Sequence, residues 1–215
     1  RHDYPLPVRQ VLGELLAAGA LLAATLKFNG SIILQIQGAG PLTLVVVECT
    51  SERTLRATAQ WEGDLQGDTL AQLIGNGRFV ITIDPKESAQ RYQGIVGIED
   101  GGVAQALENY LARSEQIQSR MWLAVDDARA AGLLLQKMPD IDGGDADDWD
   151  RLTHLADTLQ PAELLGISQN EVLHRLFHEE TVRLFEPEPL RFRCTCSRDR
   201  VANALFRRPR EHHHR

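Results

Sequence analysis

The chain has 215 residues, 43% of them hydrophobic and 25% charged, with a formal net charge of −7. This is globular composition, long enough for one large domain or a domain with an appendage, and too acidic for a nucleic-acid coat. No run of about 18 uncharged apolar residues occurs, and no apolar stretch follows a basic start, so neither a membrane span nor a secretory signal is expected and the cytoplasm is the expected compartment.

In chain order, Pro5 and Pro7 open a segment from Val8 to Phe28 in which Val8, Val11, Leu12, Leu15, Leu16 and Leu22 recur near a 3.6-residue period, and Asn29-Gly30 closes it. The spacing predicts a largely buried helix. Ile32 to Gln37, Leu42 to Cys49 and Thr54 to Trp61 are β-rich runs bounded by turn residues, which predicts an antiparallel meander. A short apolar piece at Leu70 to Ile74 precedes two further strands, Phe79 to Ile83 and Tyr92 to Ile98. Val103 to Ile117 returns to helical spacing, and Met121 to Val125 with Leu133 to Gln136 are expected to finish the sheet. Runs of strands without regular β-α-β alternation give an α+β fold, with helices packed on a large, mostly antiparallel or mixed sheet.

Composition shifts at Pro139. Asp140 to Asp150 holds six aspartates around Gly143-Gly144, cannot pack as core, and is read as a boundary. Trp149 to Leu159, Pro161 to Leu165 and Asn170 to Phe177 follow as short amphipathic helices, and Ser168 with Glu171 fits a capping box. Three units are expected: a core domain over 1–139, a helical linker arm over 140–189, and a terminal module over 190–215. The arm to Phe185 should pack on the sheet of residues 32–136, burying Leu152, Leu155, Leu159, Leu164, Leu165, Leu173 and Leu176. Its slack boundary allows exchange between protomers of a homodimer.

Few motifs carry chemistry. Gly38-Ala39-Gly40 and Gly75-Asn76-Gly77 lack the third glycine of a phosphate cradle and serve turns. His174 and His178 are four apart on a helix face without a third ligand at a recognisable offset, His212 to His214 form a terminal run, and no nucleophile elbow is present. Cys49, behind the apolar run Leu42 to Val47, is an inert core thiol. From Leu190 onward eight arginines face only Asp199 and Glu211, a local charge of +6, but Phe192 is the only aromatic beside the Arg191 to Arg200 cluster, so stacking support for nucleic acid is thin. Cys194-Thr195-Cys196 differs from the rest: the thiols are too close for a relaxed structural disulfide, and Arg193, Arg198 and Arg200 favour thiolate. Such a pair points to metal or redox chemistry, although a tetrahedral zinc site wants four ligands.

The string Phe192 to Arg200, with Leu133 to Pro139 and Tyr110 to Gln116 upstream, resembles the heat shock protein 33 family of redox-regulated holdase chaperones. Ala24 to Gly30, Gly75 to Gly77 before Val80 to Ile83, and Arg91 to Gly97 resemble that family's core, so the resemblance runs from residue 2 to about 206. It implies an α/β core, a helical linker, and a carboxyl-terminal module in which Cys-x-Cys and a later Cys-x-x-Cys share one zinc ion. On that resemblance Cys194 and Cys196 are metal ligands and redox-active thiols. Oxidation would eject zinc, unfold module and linker, and uncover a client site beneath the arm. The sequence departs from the pattern by stopping before any Cys-x-x-Cys and by starting inside the family's amino-terminal strand region, so an incomplete chain is expected, unable to close the zinc site. The expected function is therefore an ATP-independent chaperone for unfolding proteins, not an enzyme and not a membrane protein. The alternatives are a zinc-ribbon nucleic-acid-binding protein or a thiol oxidoreductase.

Overall fold

The computed structural model describes residues 3–27, 29–67, 69–87, 90–98, 101–138 and 147–193. Helix α1 (Leu6–Thr25) starts at Pro5 with Pro7 in its first turn, where neither missing N–H is needed, and ends where Leu26 turns extended. Val8, Leu15 and Ala18 have no exposed surface. Small residues let the helix approach both of its neighbours: a Cβ on Gly13 would fall 2.6 Å from Val125, and one on Gly19 would fall 2.9 Å from the sulfur of Cys49. By length and hydropathy α1 is apolar enough to cross a membrane, although Arg9 and Glu14 interrupt it. It passes because alanines and glycines fill the gaps between the large residues, and half of that window is buried inside the protein.

Strands β1 (Gly30–Gln37), β2 (Leu42–Thr50) and β3 (Thr54–Trp61) form the expected antiparallel meander. After the short helix α2 (Leu70–Ile74) come β4 (Arg78–Pro85) and β5 (Tyr92–Gly97), then α3 (Gly102–Ser114). The sheet order is β5-β4-β1-β2-β3-β8, with β8 (Arg191–Phe192) added from the end of the described chain. Leu34 on the central strand pairs with Val47 on one side and Ile81 on the other, and this row forms the middle of the core. The two glycine turns pack on each other, with the Gly40 N–H donating to the Ile74 carbonyl at 2.7 Å.

Strands β6 (Ser119–Val125) and β7 (Ala130–Gln136) do not finish the large sheet, contrary to expectation; they form a separate two-stranded sheet. The cause is local. Asp126 accepts the N–H groups of Ala128 and Arg129, each at 2.7 Å, closing a tight turn that folds β7 back on β6. Helix α1 packs against β1 to β3 and also against β6 and β7, joining the two sheets.

Helices α4 (Asp148–Asp157), α5 (Pro161–Gly166) and α6 (Gln169–Phe177) follow. Asp148 and Asp150, assigned from sequence to the acidic boundary, lie in the first turn of α4, where carboxylates favour the helix dipole. Residues 139–146 of that boundary lie outside the described residues. The capping box at Ser168 and Glu171 is present.

Candidate functional site

The arm packs on β6 and β7, not on the large sheet. Alternation cannot say which sheet a strand joins, so the sequence could not name the surface beneath the arm. Its buried residues are Ala156, Leu159, Val172, Leu176 and Phe177, with Trp122, Leu133 and Leu135 of the hairpin beneath them. Of the expected face, Leu159 and Leu176 are buried, whereas Leu152, Leu155, Leu164, Leu165 and Leu173 are half-buried. The buried stripe of α4 runs through the smaller Ala156 and Thr153.

Polar contacts tie the same elements together. Asp157 at the end of α4 accepts from the Arg120 guanidinium at 3.0 Å and from the Trp122 indole at 3.2 Å. Arg120 also faces Glu108 of α3 at 3.7 Å. Burial raises the Glu108 carboxyl above its usual range, although the Met121 N–H bonded to it and Arg120 oppose the shift. Arg129 donates to the Leu165 carbonyl at 2.8 Å, fastening α5 to the hairpin turn. Residues 120 and 157 are too distant in sequence for any local pattern to have paired them.

Beyond α6 the chain has no regular structure until β8. Val182, Leu184, Phe185 and Leu190 are exposed there. β8 then pairs parallel to β3, Thr54 opposite Arg191 and Leu55 opposite Phe192. Cys194 and Cys196, the predicted metal and redox residues, lie outside the described residues, as do His212 to His214 and Arg198 to Arg215. Among the described residues no group of three or more histidine, cysteine or acidic side chains could hold a metal. His174 and His178 are exposed, their rings 5.9 Å apart.

Cys49 is buried, and desolvation together with Glu48 pushes its thiol up to about 12, so it stays protonated at neutral pH. The other two cysteines are Cys194 and Cys196.

The family model described as Hsp33 protein matches residues 1–213. The 33 kDa chaperonin of Methylobacillus flagellatus is 55% identical over 206 residues, covering 95% of this chain and 70% of that protein. That of Chromobacterium violaceum is 52% identical over 207 residues, with the same shares. Among solved structures, the 33 kDa chaperonin (heat shock protein 33 homolog) of Thermotoga maritima superposes with a TM-score of 0.80 at 26% identity, covering 94% of this chain and 72% of that one. A match along nearly the whole chain, two relatives at half identity, and a solved structure of like fold place this chain in the Hsp33 family of chaperones.

Proposed function

We propose that this chaperone works as a redox-regulated, ATP-independent holdase in the cytoplasm, where thiols stay reduced until an oxidant arrives. The observation that carries the reading is the arm: three short helices held over a hairpin by a small apolar cluster and a few half-exposed polar contacts. Helices of ten, six and nine residues are not stable alone, so whatever loosens their support unfolds them together. Their release bares Trp122, Leu133 and Leu135, apolar surface of the kind an unfolding protein presents in return.

Cys194 and Cys196 are the proposed trigger. They would hold zinc as two of its four donors, and the bound ion would add its binding free energy to the folding of the segment around them. A hydroperoxide accepts two electrons and two protons per pair of thiols, leaving disulfide and water or alcohol, and the donors are lost. The core over 1–139, arm over 140–189 and module over 190–215 are then the units that respond in turn. A homodimer formed by exchange of the arm is part of the same proposal.

Light scattering of a thermally unfolding client tests this. A chain that also carries the later Cys-x-x-Cys of the family pattern is expected to suppress aggregation more after peroxide than under reductant, with Cys194→Ser losing the difference, whereas the 215-residue chain should hold the client without an oxidant. Aggregation unchanged in both redox states would overturn the reading.

A further inference from the structure

Glu14 is half-buried on α1, a helix whose buried positions are otherwise apolar side chains and glycine. Among the described residues none gives its carboxyl a hydrogen bond or an ion pair, and burial alone governs its ionisation. Helix α3 begins beside it at Gly102 after Gly101, but no side chain caps that helix, so Glu14 does not serve as its cap. Arg120, the cation on the neighbouring β6, is engaged elsewhere. It pairs with Asp157 at 3.0 Å and Glu108 at 3.7 Å, and its guanidinium lies 5.7 Å from the centroid of the Trp122 ring. A carboxylate withdrawn from water without a partner costs stability, so the folding of α1 gives no reason for it. An unpaired carboxyl of this kind in a cleft is the mark of a binding group.

The cleft is there. Glu14 lines a cavity of about 320 Å³ with Val103 of α3, Met121 and Trp122 of β6, and Leu159, Pro161 and Leu164 of the arm. Among the described lining residues Glu14 is the one ionisable side chain. The volume falls at the lower end of small-molecule sites, roughly 300–1,000 Å³. One carboxylate in an otherwise apolar wall selects a molecule with a single cationic end and a hydrocarbon body: anions are repelled, and an uncharged hydrocarbon leaves the carboxylate unpaired. The indole of Trp122 favours the same charge.

We propose that the cavity between α1, β6 and the arm is a binding site for a small primary alkylammonium ion, with Glu14 as its counter-ion. The ammonium group donates to the Glu14 carboxylate, and the alkyl body packs against Met121, Trp122 and Leu164. Three of the wall residues belong to the arm, so the site is complete only while the arm is docked. The ligand therefore binds the docked form and not the released one, and it stabilises the docked arm by the factor that mass action sets, one plus the ratio of ligand concentration to Kd. This goes beyond the holdase reading and does not rest on it, because neither the site nor its coupling to the arm involves a client.

The test uses the full 215-residue chain at constant ionic strength, with n-butylammonium chloride as the probe and 1-butanol as its uncharged counterpart. In nuclear magnetic resonance titrations, butylammonium is expected to give saturating shifts at the Trp122 indole N–H and at the amides of Gly102 and Met121. Butanol should bind at least tenfold more weakly. Glu14→Gln, which keeps the shape and removes the charge, should weaken butylammonium by the same factor. At ten times Kd the probe should slow hydrogen exchange across α4 to α6 by about tenfold in the parent and leave it unchanged in Glu14→Gln. Equal binding of butanol and butylammonium by the parent would overturn the role of Glu14 without recourse to any variant. Shifts that rise without saturation, as for a cation collecting on a chain of net charge −7, would overturn the site. Shifts at the cavity from N-acetyl-lysine methylamide but not from butylammonium would overturn the free amine as occupant in favour of a lysine side chain. Binding with no change in exchange would overturn the coupling to the arm.

Discussion

Glu14 makes the stability of the core depend on pH. It lies on α1 among otherwise apolar positions, in a pocket shared with Val103, Met121 and Leu164, and burial raises its carboxyl above the usual range. A raised carboxyl binds its proton more tightly in the native than in the unfolded state. Its contribution is therefore fully present below the ordinary carboxylate value and is lost as pH rises through the raised one. Glu108 adds a slope of the same sign. Glu14→Gln is expected to raise the melting temperature near neutral pH by about 3 °C, the shift that about 1 kcal/mol gives a chain of this size. It should also flatten the pH dependence just above the carboxylate range. A lower melting temperature with the slope intact would contradict this account. Cys49 offers a second check at this scale. Its thiol is buried and pushed up to about 12, so native alkylation at neutral pH should spare it, and unfolding in denaturant should add one label at residue 49 by mass spectrometry.

At the scale of elements, the arm and the large sheet are supported differently. The sheet's central row has almost no exposed surface, while the arm relies on five buried apolar side chains. Leu176→Ala is expected to destabilise the arm by about 2–5 kcal/mol, the usual cost of emptying a buried leucine site. Hydrogen exchange should then quicken across α4 to α6 and stay slow in β1, β2 and β4. A uniform loss of protection would mean that arm and core unfold as one unit. Asp157→Asn should loosen the same helices by about 1 kcal/mol or less, because its ion pair with Arg120 is half exposed at both ends. This loosening should shrink as salt rises. The capping box at Ser168 and the antiparallel meander from β1 to β3 were legible because each depends on residues close in sequence. The Asp157, Arg120 and Glu108 group was not, since three elements must meet before the pairing exists.

For the whole molecule, arm exchange between protomers predicts a concentration-dependent dimer by sedimentation across the micromolar range; a monomer at every concentration would remove exchange and leave the docking of the arm intact. The sequence alone determined the α+β class, the long buried α1, the succession of β1 to β7 along the chain, the core position of Cys49, and membership of the Hsp33 family, because these follow from hydrophobic period, turn residues and motif strings written along the chain. It also singled out Cys194 and Cys196, which lie outside the described residues. Only the tertiary structure decided that β6 and β7 stand apart as a hairpin, that the arm rests there and not on the large sheet, and that two residues before the cysteines close that sheet's outer edge. The reason is common to all three. Strand alternation says which face is buried but not which strand is its neighbour, and a two-residue pairing such as β8 carries no period at all, so partner choice belongs to the packing of α1 between the sheets and to main-chain bonds that any residue can make.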